Sequence, residues 1–219
     1  MLSKNHPTYL GSSVLDTELP DGNLVNYYPI FINERVNVID LGCGTGRNLI
    51  PLASHGLNGI GIDISEDAII KIKTNAKSLP GSISTFREDI INTNFHQHLS
   101  NKVSLVIAAN IFNFFTKSTA NRLISDIVSK LEKDSYFYIT MLTRDDPGLS
   151  SIVKECLEMD DGSYFHAKKK INIQFFSMED LTEHMKDFKL YEITNGNALD
   201  LSHGKPHYHR YISYLAKKL

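Results

Sequence analysis

A run of three glycines at alternate positions is the feature that most restricts the fold of this 219-residue chain. The glycines follow a short apolar segment, in the stretch Val38-Ile-Asp-Leu-Gly-Cys-Gly-Thr-Gly-Arg-Asn48. An apolar segment of this length is typical of a buried parallel strand, and the residues after Arg47 are typical of a helix start. Glycines let backbone N–H groups approach a ligand closely, and a helix end adds partial positive charge. The run therefore predicts a nucleotide-binding turn between a strand and a helix.

The spacing of the glycines distinguishes between cofactors. A dinucleotide-binding turn has the pattern G-x-G-x-x-G. Here the pattern is G-x-G-x-G, and Arg47 stands where the third glycine of a dinucleotide turn would fall. With Asp40 in front, the pattern D-x-G-x-G-x-G resembles motif I of class I S-adenosylmethionine-dependent methyltransferases. The alternative interpretation is a glycine turn inside another kind of α/β protein.

The order of the predicted elements agrees with that family. Strands are predicted at 36–41, 60–63, 82–87, 103–109, 136–142, 188–193 and 208–216, with helices at 47–54, from 65, and at 120–131 and 178–184. Strands separated by helices imply a parallel sheet, whereas the last two strands have no helix between them and should form an antiparallel hairpin. We therefore predict an α/β fold. It has a Rossmann-like, mostly parallel sheet of seven strands, an antiparallel C-terminal hairpin and helices on both faces.

The whole chain, 1–219, is predicted to form a single methyltransferase domain with two additions. Residues 1–35 are rich in turn residues and are interpreted as an N-terminal cap segment. Residues 145–176 match no expected element and are interpreted as a substrate-side insertion or lid.

Acidic residues stand at the ends of two predicted strands, where parallel sheets bind their ligands. Asp63 ends the second strand, at a position where a carboxylate would accept hydrogen bonds from the ribose hydroxyls. An ordinary turn aspartate is the alternative. Asp89 follows the third strand, and the family resemblance implies that it holds the adenine amino group, with Ile90 against the ring. A solvated loop acid is the alternative there.

Polar residues also end the first and fourth strands. An unpaired charge buried in a sheet is costly, so Asp40 should either tie down the glycine-loop amides or receive the methionine ammonium through water. Asn110 ends the fourth strand, where methyltransferases line the sulfonium and the substrate. The residues Asn110-Ile-Phe-Asn113 lack the proline pair of enzymes that methylate nucleobases or glutamine amides, which argues against those substrates. The cofactor-binding set that the resemblance implies is Asp40, Gly42, Cys43, Gly44, Gly46, Arg47, Asp63, Ile64, Asp89, Ile90 and Asn110.

Phenylalanines follow Asn110 closely, at positions 112, 114 and 115. They would either line the pocket or form a packing face, and the packing face is the preferred interpretation.

Three histidines, His203, His207 and His209, stand between the last two predicted strands and at the start of the final one. The sixth strand is expected to be parallel to the others, so the hairpin turn should emerge on the cofactor side. Three interpretations remain open: a solvated polar turn, a substrate-pocket role for His203 or His207, and a metal site. Strand alternation places His207 and His209 on one face. We take His203 and His207 as the catalytic candidates and predict no metal, because no Cys, Asp or Glu is obviously grouped with the histidines.

The late part of the chain resembles the tellurite-resistance branch of this family. The resemblance lies in the segment Phe175-Phe-Ser-Met-Glu-Asp-Leu181 and in the histidines of the final hairpin. It implies that a hairpin histidine, together with a nearby arginine, serves the substrate. His203 is the better match to that histidine.

The predicted function is methyl transfer from S-adenosylmethionine to a small-molecule acceptor with a sulfur, selenium or tellurium, oxygen or nitrogen nucleophile. The cofactor carries the activated methyl group, so the protein supplies mainly alignment. A hydroxyl or amine acceptor needs a base, for which His203 or His207 is suited. The alternatives are a methyltransferase that acts on a protein or RNA and a non-catalytic S-adenosylmethionine-binding protein.

Composition narrows the partners and the location. The net charge of −2 and the lack of a basic, aromatic-rich extension argue against nucleic acid and anionic membrane. The most apolar stretch, 103–115, is too short to span a bilayer, and the N-terminus lacks the apolar core of a signal peptide. Two cysteines cannot form a disulfide framework, which favours the cytoplasm. A monomer or homodimer is expected.

Overall fold

The computed structural model describes residues 19–92, 95–98, 104–200 and 207–219. The helices and strands in chain order are α1 (Gly22–Val25), α2 (Tyr28–Glu34), β1 (Asn37–Leu41), α3 (Leu49–Ser54), β2 (Gly59–Asp63), α4 (Glu66–Asn75), β3 (Ile83–Arg87), β4 (Ser104–Ala109), α5 (Lys117–Lys130), β5 (Tyr136–Leu142), α6 (Leu149–Glu155), β6 (Leu157–Glu158), β7 (Tyr164–His166), β8 (Ile171–Ile173), α7 (Met178–Thr182), β9 (Phe188–Asp200) and β10 (His207–Lys218). Two 3-10 turns, Phe95–His98 and Phe112–Phe114, flank β4.

Seven strands of the described ranges form one sheet, in the order β3-β2-β1-β4-β5-β10-β9. The strands β1 to β5 pair in parallel, and β10 runs antiparallel to both β5 and β9. The chain passes from β1 to β2 on one side and later enters β4 on the other, which makes the end of β1 the switch point of the sheet. The predicted sheet, with its parallel part and its antiparallel C-terminal hairpin, is confirmed.

The two faces of the sheet carry separate apolar clusters because side chains alternate along each strand. Val38 packs with α1, α2 and α3 on one face, whereas Ile39 and Leu41 pack with α5 and α7 on the other. Helices therefore cover both faces, as predicted. None of the helices in the described part of the chain is long and apolar enough to cross a membrane.

The C-terminal hairpin is longer than its sequence predicts. Residues 194–200 are mostly polar, yet they continue β9 and pair with β10 from Gly196↔Tyr211 to Asp200↔His207. Tyr211 also pairs with Leu142 at the end of β5. Polar residues form a strand here because pairing with β10 supplies backbone hydrogen bonds. These bonds do not require that the side chains of the strand are buried. Residues 207–210 consequently extend beyond the carboxyl edge of the parallel strands.

The N-terminal segment forms two short helices in its described part, from residue 19 onward. Asp21 caps α1 by accepting a hydrogen bond from the Asn23 amide, and its own amide donates to the side chain of Asn48 at 2.9 Å. Tyr28 and Phe31 of α2 are buried against the sheet. This segment, which was expected to be rich in turns, therefore packs as helices beside the start of α3.

Residues 145–176, the predicted insertion, lie between β5 and α7. It contains α6 and a three-stranded antiparallel sheet in the order β6-β7-β8. The amide of Gln174, at its end, donates to the Asn113 carbonyl at 2.8 Å, which joins the insertion to the 3-10 turn after β4. Phe112 and Phe115 are buried in the core, as the packing interpretation predicts.

Candidate active site

The glycine turn after β1 has a surface without side chains. Gly44 has a φ of +51°, and a Cβ atom added there would meet nothing within 4 Å. Gly46 has a φ of +87°, and its added Cβ would approach Ile72 at 2.9 Å. Left-handed backbone of this kind favours glycine. Gly46 thus lets the turn pack on α4. Gly44 leaves an open space at the switch point of the sheet, and this space is the cradle.

The amides of the turn form hydrogen bonds within the protein. Gly42 and Cys43 donate to the carbonyl of Ile62 at 2.8 and 3.1 Å. Gly44 donates to the Asp63 carboxylate at 2.8 Å. These three N–H groups thus bond within the protein, and the expectation that amides of the turn approach the ligand stays a prediction.

Asp63 connects the glycine turn to the start of α4. One carboxylate oxygen accepts from Gly44, and the other accepts from the amide of Ser65 at 2.8 Å. Burial raises the pKa of Asp63, and the hydrogen bonds from these amides oppose that rise. Each oxygen of a carboxylate can accept two hydrogen bonds, so the acceptor capacity that ribose hydroxyls need is still present.

Asp40 is a buried acid at the end of β1, with 2 % of its surface exposed. Burial raises its pKa to about 7; the charge of Arg47 lowers it and that of Asp63 raises it further. Because the amides of Gly42, Cys43 and Gly44 bond elsewhere, Asp40 does not hold them. The other interpretation, in which Asp40 receives an ammonium group, stays a prediction.

Asn110 has a left-handed backbone at the end of β4, with a φ of +59°. Its amide donates to the carbonyl of Thr140 at 2.9 Å. Its side-chain oxygen is buried and has no hydrogen-bond partner among the described residues. A buried acceptor without a donor is costly, so this oxygen fits a site that a ligand completes. The open cradle at Gly44 and the acceptor of Asn110 together suit a bound cofactor.

The remaining predicted cofactor residues lie around the same edge of the sheet. Cys43 packs its side chain with Ile69 and Ile72, so it offers only backbone to a ligand. Asp89 is half-buried and accepts a hydrogen bond from the Ile91 amide at 3.0 Å. Ile90 is buried in the core next to it.

Arg47 and Ile64 complete this set. Arg47 is half-buried after the glycine turn, close enough for its charge to act on Asp40. Ile64 follows β2, and its carbonyl accepts from Arg87 at 3.4 Å.

The hairpin histidines have an acidic partner that sequence spacing does not reveal. Asp146 Oδ2 lies 3.0 Å from His209 Nδ1, and His209 Nε2 lies 3.0 Å from His207 Nε2. Asp146 and His209 are 4 % and 8 % exposed, so the interpretation of this stretch as a solvated turn is wrong for His209. No local signal marks Asp146, because it stands 63 positions before His209. His203 lies outside the described residues, and its role stays a prediction.

The histidines and the acid do not surround one point. Asp146 and His207 contact opposite nitrogens of the His209 ring. Within the part of the chain that the structure describes, no group of three or more His, Cys, Asp or Glu residues is placed to hold a metal ion.

The predicted cofactor residues lie at the carboxyl ends of β1 to β4, which together form the cofactor edge of the sheet. Comparison with known proteins agrees with the geometry of this edge. Residues 38–134 match the family model for a methyltransferase domain. No curated protein matches the chain by sequence. The match covers the glycine turn and the strands from β1 to β4, which contain every predicted cofactor residue. The family match over residues 38–134, motif I and the strand order support a class I S-adenosylmethionine-dependent methyltransferase, an enzyme with S-adenosylmethionine as its cofactor.

Solved structures show the same fold over nearly the whole chain. A methyltransferase from Methanosarcina mazei has a TM-score of 0.71 and 19% identity, with 92% of this chain and 99% of that chain covered. TehB from Haemophilus influenzae has a TM-score of 0.69 and 21% identity, with 94% and 64% covered. The 1,6-didemethyltoxoflavin-N1-methyltransferase from Burkholderia thailandensis, with bound 1,6-didemethyltoxoflavin and S-adenosylhomocysteine, has a TM-score of 0.63 and 14% identity, with 90% and 77% covered.

Proposed function

We propose that this enzyme methylates a small-molecule acceptor bound next to the C-terminal hairpin, and that His207 accepts the proton that the acceptor loses. The supporting observation is the buried pair of His209 and Asp146 beside His207. Residues 207–210 extend past the end of β5, on the edge of the sheet where the cofactor residues lie. A base on this edge is suited to an acceptor that must reach the methyl group.

The cofactor residues have distinct proposed roles. The cradle at Gly44 admits the cofactor, Asp63 accepts from its ribose hydroxyls, and Asp40 pairs with its ammonium group. Asp89 and Ile90 hold the adenine, as the family resemblance implies. Asn110 lies where its unpartnered oxygen can accept a hydrogen bond from the cofactor or the acceptor. S-adenosylmethionine supplies an activated methyl group when bound.

The need for a base depends on the acceptor. A thiolate or selenide is already ionised near neutral pH, so the protein has only to align it. A hydroxyl or amine must lose a proton, and His207 is the imidazole at the edge of the sheet for that role. The neighbour from Burkholderia thailandensis, which holds 1,6-didemethyltoxoflavin, is an N-methyltransferase with a small-molecule substrate.

The insertion 145–176 is proposed to form the acceptor side of the site. Asp146, near its start, contacts the hairpin through His209. Gln174, near its end, contacts the turn that follows Asn110 through Asn113. The insertion thus joins the two elements between which an acceptor would sit.

The test is incubation with methyl-labelled S-adenosylmethionine and separate metabolite, protein and RNA fractions. We expect label in the metabolite fraction. His207→Ala should reduce turnover by about 10²- to 10⁴-fold on a hydroxyl or amine acceptor, without changing the cofactor Kd. Tyr208→Phe is the matched control, because Tyr208 is exposed on the opposite face of β10. Label in the protein or RNA fraction alone would replace the small-molecule proposal, and bound cofactor without any transfer would indicate a binding protein.

A further inference from the structure

We infer that Asp21, Tyr28, Tyr138 and Tyr211 bind a positively charged nitrogen of the acceptor. The small molecule that this enzyme methylates would then carry an amine or another protonated nitrogen in addition to the atom that receives the methyl group. These four residues are called the Asp21 cluster below. The inference rests on the proposed small-molecule acceptor, but it does not depend on which residue takes the acceptor's proton.

Asp21 stands at the start of α1, between the cofactor edge and the C-terminal hairpin. Its amide donates to the side chain of Asn48, just after the glycine turn, at 2.9 Å. Two residues further on, the side chain of Asn23 donates to the hydroxyl of Ser213 on β10, also at 2.9 Å. These two contacts fix the start of α1 to both sides of the site.

Tyr138 of β5 and Tyr211 of β10 lie next to Asp21. The Tyr138 hydroxyl lies 3.4 Å from that of Ser213, and the Tyr138 side chain has a hydrogen bond with Asp21. Ser213 and Tyr211 are two residues apart on β10, so their side chains share a face of the sheet. Burial raises the pKa of Tyr211, and the charge of Asp21 raises it further. Asp21 is therefore close enough to act on both hydroxyls.

Tyr28 of α2 provides the observation that points to a ligand. Only 7 % of its surface is exposed, and its hydroxyl has no hydrogen-bond partner among the described residues. Burial raises the pKa of Tyr28; the charges of Asp40 and Asp21 raise it further, and that of Arg47 lowers it. The hydroxyl thus lies within reach of all three charges. A buried hydroxyl without a partner is costly, so a ligand that bonds to it would complete the site.

The Asp21 cluster carries a negative charge that no ion pair neutralises. The carboxylate accepts from the Asn23 amide at 3.2 Å and bonds with Tyr138, and both partners are neutral. No ion pair of the described residues includes Asp21. Arg47 also acts on Asp40, whose pKa it lowers, and the charges of these two side chains offset one another. The charge that remains at Asp21 favours a ligand with positive charge.

The residue types of the Asp21 cluster suit a protonated nitrogen. A carboxylate accepts a charged hydrogen bond from one N–H group, and a neutral tyrosine oxygen accepts from another. The faces of aromatic rings also attract cations. Asp21 and Tyr211 are half-buried, whereas Tyr28 and Tyr138 are buried. A ligand can therefore approach past the first two residues and bond to the others.

The position of the cluster assigns it to the acceptor rather than to the cofactor. The predicted cofactor residues lie at the ends of β1 to β4, whereas Tyr138 and Tyr211 belong to β5 and β10. Alternation along β10 places His207 on the same face as Tyr211. The cluster thus lies between the cofactor edge and the hairpin that is proposed to face the acceptor.

Binding of matched charged and neutral compounds tests the inference. One series is tyramine, tyrosol and 4-hydroxyphenylacetate, and the other is cysteamine, 2-mercaptoethanol and mercaptoacetate. In each series the nucleophile is kept, and the other end changes from cation to neutral group to anion. With S-adenosylhomocysteine bound to the full chain, calorimetry should show the cation of at least one series binding about 10- to 100-fold more tightly than the neutral compound. Equal binding within both series, or no binding at all, would overturn the inference.

Asp21→Asn tests the source of that preference. Asparagine is also a favourable N-cap, so α1 should remain formed while the charge is lost. We expect the cation and the neutral compound to bind equally well to this variant. A preference that persists would place the cation elsewhere. If the affinity for S-adenosylhomocysteine fell as much as that for the cation, the cluster would belong to the cofactor, which would also overturn the inference.

Tyr28→Phe separates ligand binding from stability. The change removes a hydroxyl without a partner and keeps the ring, so the free energy of unfolding of the ligand-free protein should not fall. Binding of the cation should weaken about 3- to 10-fold, because one hydrogen bond is lost. A cation affinity equal to that of the wild type would exclude Tyr28 from the site.

Asp134→Asn and Tyr214→Phe are the matched controls. Asp134 is an exposed acid before β5, at the opposite edge of the sheet, and Tyr214 is a buried tyrosine on the other face of β10. Both variants should keep the wild-type preference for the cation. Failure of the proposed function would appear differently, as cation binding by the wild type without methyl transfer to any small molecule. Failure of this inference alone would appear as methyl transfer without any preference for charge.

Discussion

The cofactor edge and the proposed acceptor side of this enzyme are built by different means. At the cofactor edge, turns that directly follow strands place the polar groups, as when Gly44 bonds to Asp63 nineteen positions away. On the acceptor side, buried side chains join distant segments, as in Asp146 with His209 and Asn113 with Gln174, each more than sixty positions apart. The cofactor edge therefore depends on short stretches of chain, whereas the proposed acceptor side depends on contacts between distant segments.

The largest expected effect is on the free energy of unfolding, and it tests how much the burial of Asp40 at the cofactor edge destabilises the protein. The pKa of Asp40 is raised from 3.8 to about 7 in the folded protein, so the folded state binds more protons than the unfolded state between these values. The stability contributed by the protonated form is present below pH 4 and is lost as pH rises through 7. This loss amounts to about 4 kcal/mol. Asp40→Asn should therefore make the cofactor-free protein more stable at pH 8 by up to that amount, while weakening cofactor binding.

Urea unfolding at pH 5 and pH 8 measures this effect. The advantage of Asp40→Asn over the wild type should be much larger at pH 8 than at pH 5. Asp134→Asn is the control, because this acid is exposed and its nearest cation, Lys217, lies 3.8 Å away. The free energy of unfolding of Asp134→Asn should differ from that of the wild type by less than about 1 kcal/mol at either pH. An Asp40→Asn advantage that is the same at both pH values would contradict burial as the cause.

The next effect tests the acceptor side. The side chain of Asn113 donates to the Gln174 carbonyl at 2.6 Å and accepts from the Leu142 amide at 3.2 Å. Asn113→Ala leaves two buried backbone groups without partners, so the free energy of unfolding should fall by about 2–4 kcal/mol. Hydrogen exchange should quicken in 171–176, whereas the cofactor Kd should stay nearly unchanged.

Asn121→Ala is the matched control for that prediction. The side-chain oxygen of Asn121 is buried in α5 without a hydrogen-bond partner among the described residues. Its removal should cost little, and alanine favours the helix. If both variants lost equal stability, the buried amide contacts would not be what holds the insertion in place.

A smaller effect concerns Asp63. Asp63→Ala removes a carboxylate that is proposed to accept from the ribose, and it also releases the amides of Gly44 and Ser65. Cofactor binding should weaken by about 1–3 kcal/mol, as measured by calorimetry. Asp67→Ala, at an exposed acid of the same helix start, should leave the Kd unchanged. A wild-type Kd for Asp63→Ala would remove this residue from the site.

The smallest effect separates backbone strain from ligand contact. Gly44 and Gly56 both have positive φ angles, and an added Cβ would meet nothing within 4 Å at either position. Alanine at each should cost about 1–2 kcal/mol of stability through strain. Only Gly44→Ala should also weaken cofactor binding, because its Cβ would occupy the cradle. Equal cofactor affinity in the two variants would place the cofactor elsewhere.

The accuracy of the sequence-based predictions differs between the two regions. The strand that ends at Leu142 is correct at both ends, and α4 begins at Glu66, next to its predicted start at 65, because both depend on residues close in the chain. The polar second half of β9 was missed, since its strand conformation comes from pairing with β10. The partners of the glycine-turn amides of Gly42, Cys43 and Gly44 were not foreseen either, because they lie on β2.

The glycine spacing, the apolar strands and the order of the elements were enough to assign the fold and the cofactor. These features work over short stretches of chain, where the conformational limits of each residue decide the structure. The tertiary structure added the acid that orders His209, the pairing of Asn113 with Gln174 and the raised pKa of Asp40. None of these is visible in the order of residues, because burial and contacts between distant segments exist only after the chain has folded.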